Sequence, residues 1–140
     1  MKKLIVTCIL LFCTSFANAG NFDMLVHGVS WHSSGNFNER NEGVGIVYNQ
    51  SKELSYAVGV YDNSLSKTSV YALVQYLPIE YKAVQAGIFA GGITGYPLTK
   101  IAAGGLVRIN RGTVYHQFQL VPSIKGVTPA VVGYSFGFHF

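Results

Sequence analysis

The sequence predicts an all-β fold: an eight-stranded antiparallel transmembrane β-barrel after an N-terminal signal peptide. Three observations predict it. Residues 134–140 carry a ring at every second position, giving a strand one aromatic face (Tyr134, Phe136, Phe138, Phe140) and one small or polar face (Ser135, Gly137, His139). Charged residues make up 11% of the chain, against roughly 25% in soluble domains, while there are 16 Gly and 9 each of Tyr and Phe. Beyond the leader, no apolar run reaches the about 20 residues that a membrane helix requires.

The leader is residues 1–19. Met1-Lys2-Lys3 is a cationic start, residues 4–16 are mostly apolar, and Ala17-Asn18-Ala19 is a small-x-small cleavage site. Both cysteines, Cys8 and Cys13, lie inside it, so the mature chain has no disulfide, thiolate metal site or cysteine nucleophile. Cys13 follows Phe12, which argues against a lipoprotein. Cleavage leaves residues 20–140 as one barrel domain and lowers the net charge from +4 to +2, because Lys2 and Lys3 leave with the leader. With no basic run, nucleic acid is excluded as a partner.

Eight segments read as strands, at 22–32, 43–49, 53–62, 67–77, 80–91, 101–109, 113–121 and 130–140. Turn chemistry separates them: Gly35-Asn36, Asn49-Gln50-Ser51-Lys52, Asp62-Asn63-Ser64, Pro78, Gly95-Tyr96-Pro97, Asn110-Arg111-Gly112 and residues 122–129. In the first strand Leu25, Val29 and Trp31 are expected to point outward, with Gly28, Ser30 and His32 inward. In the fourth, Val70, Ala72, Val74 and Tyr76 point outward and Ser69, Tyr71, Leu73 and Gln75 inward. In the seventh, Tyr115, Gln117 and Gln119 point inward, and His116 falls on the outer face. Many inward positions are Gly, Ala or Ser, which leaves room in a lumen that eight strands make just wide enough for side chains or one slim ligand.

An even strand count puts both termini at one end. The longer connections, 33–42, 92–100 and 122–129, then share the opposite rim with the turn after strand three. Polar residues gather there: Trp31-His32-Ser33-Ser34, Phe37-Asn38-Glu39-Arg40-Asn41-Glu42 and Tyr61-Asp62-Asn63-Ser64. A histidine base, a carboxylate and a hydroxyl at one level are the set that acyl transfer needs.

The aromatic ending resembles the C-terminal signature of bacterial outer-membrane barrels. More specifically, Trp31-His32, the Phe37-Asn38-Glu39-Arg40 loop, Gly43-Val44-Gly45-Ile46 and the Tyr61-Asp62-Asn63-Ser64 corner resemble PagP-type lipid A palmitoyltransferases, in a minimal variant. The resemblance implies localisation to the bacterial cell outer membrane and transfer of a palmitoyl-like chain from a phospholipid to lipid A, with the chain in the lumen. Neither cofactor nor metal is implied. His32, Asp62 and Ser64 would be catalytic, and Trp31, Asn38, Glu39, Arg40 and Asn63 would bind substrate. In the family the Asp and Ser are adjacent, whereas here Asn63 stands between them. Either Asp62 keeps the role with a one-residue shift, or Asn63 occupies the Asp position. The implied partners are outer-membrane lipids and the barrel-assembly machinery, the latter engaging the last strand of a monomer. Two alternatives stand beside it: a lipid A deacylase using His32 and Ser34 with Glu42 orienting the histidine, and a non-catalytic surface barrel.

Overall fold

The computed structural model describes residues 21–140; the signal-peptide reading of residues 1–19 lies outside the described residues. Eight strands form one closed sheet: β1 Phe22–His32, β2 Arg40–Asn49, β3 Leu54–Asp62, β4 Thr68–Tyr81, β5 Val84–Ile93, β6 Ile101–Arg111, β7 Val114–Val121 and β8 Val131–His139. Each pairs antiparallel with its neighbours in sequence, and β8 closes on β1 from Asp23↔His139 to His32↔Val131. Closure satisfies the ladder all round and leaves no open edge. The chain ends and the tight turns lie at one rim, which we call lower, and the four longer connections lie at the upper rim.

Alternation sets the faces. β4 alternates exposed and buried from Thr68 to Leu77, with Ser69, Tyr71, Leu73 and Gln75 in the lumen as the sequence predicts. In β7, Tyr115 and Gln117 are buried inward and His116 is on the outer face, where its Nδ1 meets the Tyr134 hydroxyl at 2.9 Å. Between Arg40, Glu42 and Asp62 near the upper rim and Arg111 near the lower, outward strand positions carry no Asp, Glu, Lys or Arg. Val58, Val70, Ile88 and Ile101 on that band are more than half exposed.

Two bulges account for the departures from a uniform alternation. In β1 the register shifts between His27 and Val29: against β8 Gly28 is an extra residue, whereas against β2 the extra residue is on β2, where Asn41 and Glu42 stand opposite Gly28. Below it the odd positions face inward, and Leu25 is fully buried rather than outward as expected. Above it the even positions face inward, which puts Ser30 and His32 in the lumen. An inserted residue reverses the side-chain parity of everything beyond it. The second bulge lies between Tyr76 and Ile79. Pro78 was expected to end a strand, but it sits in this bulge, where its missing N–H costs the ladder little. β4 therefore continues to Tyr81, and the turn forms at Lys82, whose φ is 55°. β2 likewise starts earlier than expected, because Arg40 pairs with Val29.

The lower lumen is filled. Leu25, Val47, Leu106 and Tyr115 are buried together there. Arg108 Nη2 donates to Gln75 Oε1 at 2.9 Å and to Gln117 Oε1 at 3.1 Å, and its guanidinium lies 4.4 Å from the Tyr115 ring centre. Gly137 faces that ring, and any side chain there would collide with it. His139 Nδ1 lies 2.8 Å from Asp23 Oδ1 across the closing seam. Buried polar groups in an interior of this kind need such partners.

Candidate functional site

Above this packed layer the lumen opens into a cavity of about 600 Å³ that reaches the upper rim. Its floor is a hydrogen-bonded trio. His27 Nδ1 lies 2.9 Å from Ser135 Oγ, and its Nε2 lies 2.7 Å from the Tyr71 hydroxyl. Tyr71 has room for its hydroxyl because Gly45 and Gly59 face it; a Cβ on either would overlap that oxygen. The walls are mainly apolar, including Leu73, Phe89, Ile93, Ala102 and Val121. That combination of apolar walls and few polar groups at the mouth of a barrel is the usual build of a small-ligand site.

His32 and Ser64 meet at the mouth. His32 Nε2 is 2.8 Å from Ser64 Oγ, and both residues line the cavity. The imidazole stacks on Phe37, with ring centres 4.6 Å apart and planes 25° apart. His32 ends β1 above the Val29–Arg40 rung, beyond the uncharged exterior band. Burial lowers its pKa from the ordinary 6.5, and the Glu39 carboxylate partly opposes the shift. Its Nδ1 is buried without a hydrogen-bond partner among the described residues. A neutral imidazole touching a hydroxyl is a base next to a nucleophile.

Ser64 owes its position to Asn63, which is fully buried. The Asn63 side-chain oxygen accepts from the backbone N–H of Leu65 (2.9 Å) and of Lys67 (3.0 Å). Its Nδ2 donates to Ser69 Oγ at 2.9 Å and to the Gly95 carbonyl at 3.2 Å. This is the Asx turn that Asn favours, closing the connection between β3 and β4 on itself. Asn38 secures the other side: its backbone N–H donates to the Ser64 carbonyl at 2.9 Å and its Nδ2 to the Asn63 carbonyl at 3.2 Å. Asn38 and Asn63 thus hold the corner from below and beside, with their side chains engaged by the protein.

Asp62 does not join this group. It continues the outward parity of Val58 and Val60, is exposed, and among the described residues its carboxylate meets only the Thr68 hydroxyl, at 3.4 Å. No hydrogen bond or ion pair joins it to His32. Trp31 points outward and is 50% exposed, one position out of phase with His32. Glu39 and Arg40 are exposed at the rim; Arg40 N–H donates to Asn38 Oδ1 at 3.1 Å. Ser34 is exposed and is not among the cavity residues, and Glu42 faces outward. Ser33 instead fastens the first upper loop to β8, through its backbone N–H to the Ala130 carbonyl (2.9 Å) and its Oγ to the Ala130 N–H (3.1 Å).

The sequence reading missed Tyr96 and the floor trio. Tyr96 places its hydroxyl 3.4 Å from that of Tyr61 and 3.5 Å from the Ser64 N–H, at the mouth. Its signal, a tyrosine between Gly95 and Pro97, reads only as a loop. His27 shares a face with His32 only because of the bulge, which a strict alternation cannot contain. Among the described residues no cluster of three or more His, Cys, Asp or Glu is arranged to hold a metal ion. Comparison of the chain with models of known protein families and with curated proteins finds no match.

Proposed function

We propose that this protein is an outer-membrane acyltransferase that moves a fatty acyl chain from a phospholipid to lipid A, with the chain held in the upper lumen. One observation carries the reading: the His32–Ser64 pair, 2.8 Å apart, stands at the mouth of an apolar cavity inside a closed barrel. The membrane setting is supported by the uncharged exterior band, since lipid tolerates charge poorly between the two interfaces. Strands of 8 to 14 residues suit that span.

In this reading the acyl chain enters the cavity tail first and its ester carbonyl stops beside Ser64. Ser64 O–H passes its proton to His32 Nε2 as Oγ attacks the carbonyl carbon. The tetrahedral intermediate collapses, the ester C–O bond breaks, and the leaving lysophospholipid oxygen takes the proton back from His32. The acceptor hydroxyl then attacks the acyl-Ser64 ester by the same exchange, restoring Ser64. Neutral His32 is the form required, and its burial favours that form. Holding the ester against the pair supplies proximity worth several kcal/mol, on the order of 7 or more.

Labelled lipid A from cells expressing the chain, separated by thin-layer chromatography, tests the proposal. It should gain a more acylated species that disappears with His32→Ala and with Ser64→Ala. A lipid A profile unaltered by expression would refute it, and a less acylated product would identify a deacylase instead.

A further inference from the structure

An ester carbonyl that gathers negative charge beside Ser64 needs hydrogen-bond donors, and most of those around this corner are taken. The Leu65 and Lys67 N–H groups donate to Asn63 Oδ1 at 2.9 and 3.0 Å, and the Ser66 N–H donates to the Asn63 carbonyl at 2.9 Å. The Asn38 N–H donates to the Ser64 carbonyl at 2.9 Å, and its Nδ2 to the Asn63 and Arg40 carbonyls at 3.2 and 2.7 Å. Two donors stand apart. Among the described residues the Ser64 N–H meets only the Tyr96 hydroxyl oxygen, at 3.5 Å. The Tyr96 hydroxyl has that contact and one to the Tyr61 hydroxyl, at 3.4 Å. Both lengths lie at the far limit of a hydrogen bond. When Tyr61 is the donor, the Tyr96 oxygen accepts twice and its own proton is uncommitted.

The backbone before Tyr96 fixes it at this spot. Gly95, with φ of 86°, accepts from Asn63 Nδ2 on its carbonyl at 3.2 Å, and a Cβ there would come within 2.6 Å of Asn63 Nδ2 and of Ser69 Oγ. Glycine suits both the left-handed conformation and the close approach. The buried Asn63 that sets Ser64 therefore also sets the residue before Tyr96. Tyr96, Ser64 and His32 all line the cavity. We infer that Tyr96 is a catalytic residue, whose hydroxyl and the Ser64 N–H together hold the negatively charged oxygen of acyl transfer. The Tyr96 oxygen keeps the place on the Ser64 N–H that the substrate's carbonyl oxygen takes. As that oxygen arrives, the loosely held hydroxyl moves aside and donates a hydrogen bond to it. When Ser64 Oγ bonds to the carbonyl carbon, its proton passes to His32 and the C=O electron pair moves onto the held oxygen. The pair returns as the ester C–O bond breaks and the leaving oxygen takes the proton from His32; Tyr96 keeps its own proton throughout. A nucleophile's own N–H serves as one of two such donors in serine acyl transfer, and contacts that are long without substrate tighten as charge develops. The inference rests on the reading of Ser64 as nucleophile and adds the residue that stabilises its transition state.

A tetrahedral mimic tests this role without turnover. The protein purified in detergent is titrated calorimetrically with dodecylboronic acid and with methyl dodecanoate. Ser64 Oγ adds to boron while its proton passes to His32, no bond to boron breaks, and one boronate oxygen takes the place of the charged carbonyl oxygen. The unaltered protein should bind the boronic acid about a thousandfold or more tighter than the ester, and Ser64→Ala should remove that preference. Tyr96→Phe keeps the ring and removes only the hydroxyl. It should weaken boronic acid binding about a hundredfold while ester affinity stays within about twofold, and should lower kcat by a similar factor with KM unchanged. A preference that depends on Ser64 but survives Tyr96→Phe would overturn the inference and leave the Ser64 reading standing. An equal loss of both ligands in Tyr96→Phe would do the same, since it would mark a structural role. Equal affinities for the two ligands in the unaltered protein would overturn both.

Discussion

The upper and lower halves of the lumen are enclosed by the same eight strands but filled in opposite ways. Below, Arg108 bridges Gln75 and Gln117 over the face of Tyr115, and Leu25, Val47 and Leu106 pack beside it. Above, the wall between Phe89 and the upper loops includes Ala102, Val121, Val131 and Gly133, small residues that leave space open between the larger ones. The same paired strands enclose both halves, so side-chain size is what makes the interior solid in one and hollow in the other. Eight strands sit at the size where both outcomes are open. The lower half holds the barrel together and the upper half leaves space, with the His27–Tyr71–Ser135 trio as the boundary between them.

That division can be broken from either side. The largest effect is expected at the mouth: His32→Ala should lower the acyl-transfer rate by on the order of a thousandfold in a reconstituted vesicle assay, with little change in unfolding midpoint. In the packed half the pattern should invert. Arg108→Ala strips a buried cation from two amide acceptors and opens a void, and should cost about 3 kcal/mol in urea titrations of the folded barrel while acyl transfer at the mouth persists. Making the upper half resemble the lower should separate binding from stability. Ala102→Trp fills the cavity, so ester affinity should fall about tenfold or more by calorimetry, with stability changed by less than about 1 kcal/mol. Asp62→Asn should alter the transfer rate by no more than about threefold, because an exposed carboxylate on the outer face has little reach into the cavity.

The smallest effect concerns pH. In the proposed transfer His32 must be unprotonated to accept the Ser64 proton, and burial lowers its pKa below 6.5, so the rate should hold past that value before falling as pH drops. Glu39 raises that pKa, opposing the burial. Glu39→Gln should therefore carry the acid limb of the pH–rate profile to still lower pH, and a shift toward higher pH would contradict the assignment.

Much of the fold was legible because alternation and turn chemistry are local signals. The eight strands, the grouping of the longer loops at one rim and the inward set of β4 follow from them directly. What was not legible is the pair of bulges. Gly28 and Pro78 read respectively as an ordinary strand residue and a strand terminator, and only pairing across the sheet, with β8 and with β5, shows that each is accommodated in a bulge. Leu25 was misassigned for that reason. At the rim, the meeting of His32 and Ser64 was within reach, since both lie where the topology gathers polar residues. Asp62 shows the limit of reasoning by neighbourhood in sequence. It is two residues from Ser64, yet the parity of β3 carries it outward while the Asn63 turn brings Ser64 over the mouth. Asn63 interrupts a resemblance in sequence but is the residue that builds the corner.

The insertion at Gly28 makes β1 a strand with two phases, and the whole upper site depends on the second. Drawing Gly28 into the ladder as an ordinary rung would leave the pairs from Asp23 to His27 against β8 in step, along with the packed lower lumen. The same slip would turn His32 and Ser30 to the outside and bring Trp31 into the lumen. Fold and mouth in this barrel are thus separable by a single residue, so a chain of the same architecture that straightened β1 at that point would be a sound barrel with nothing at its mouth.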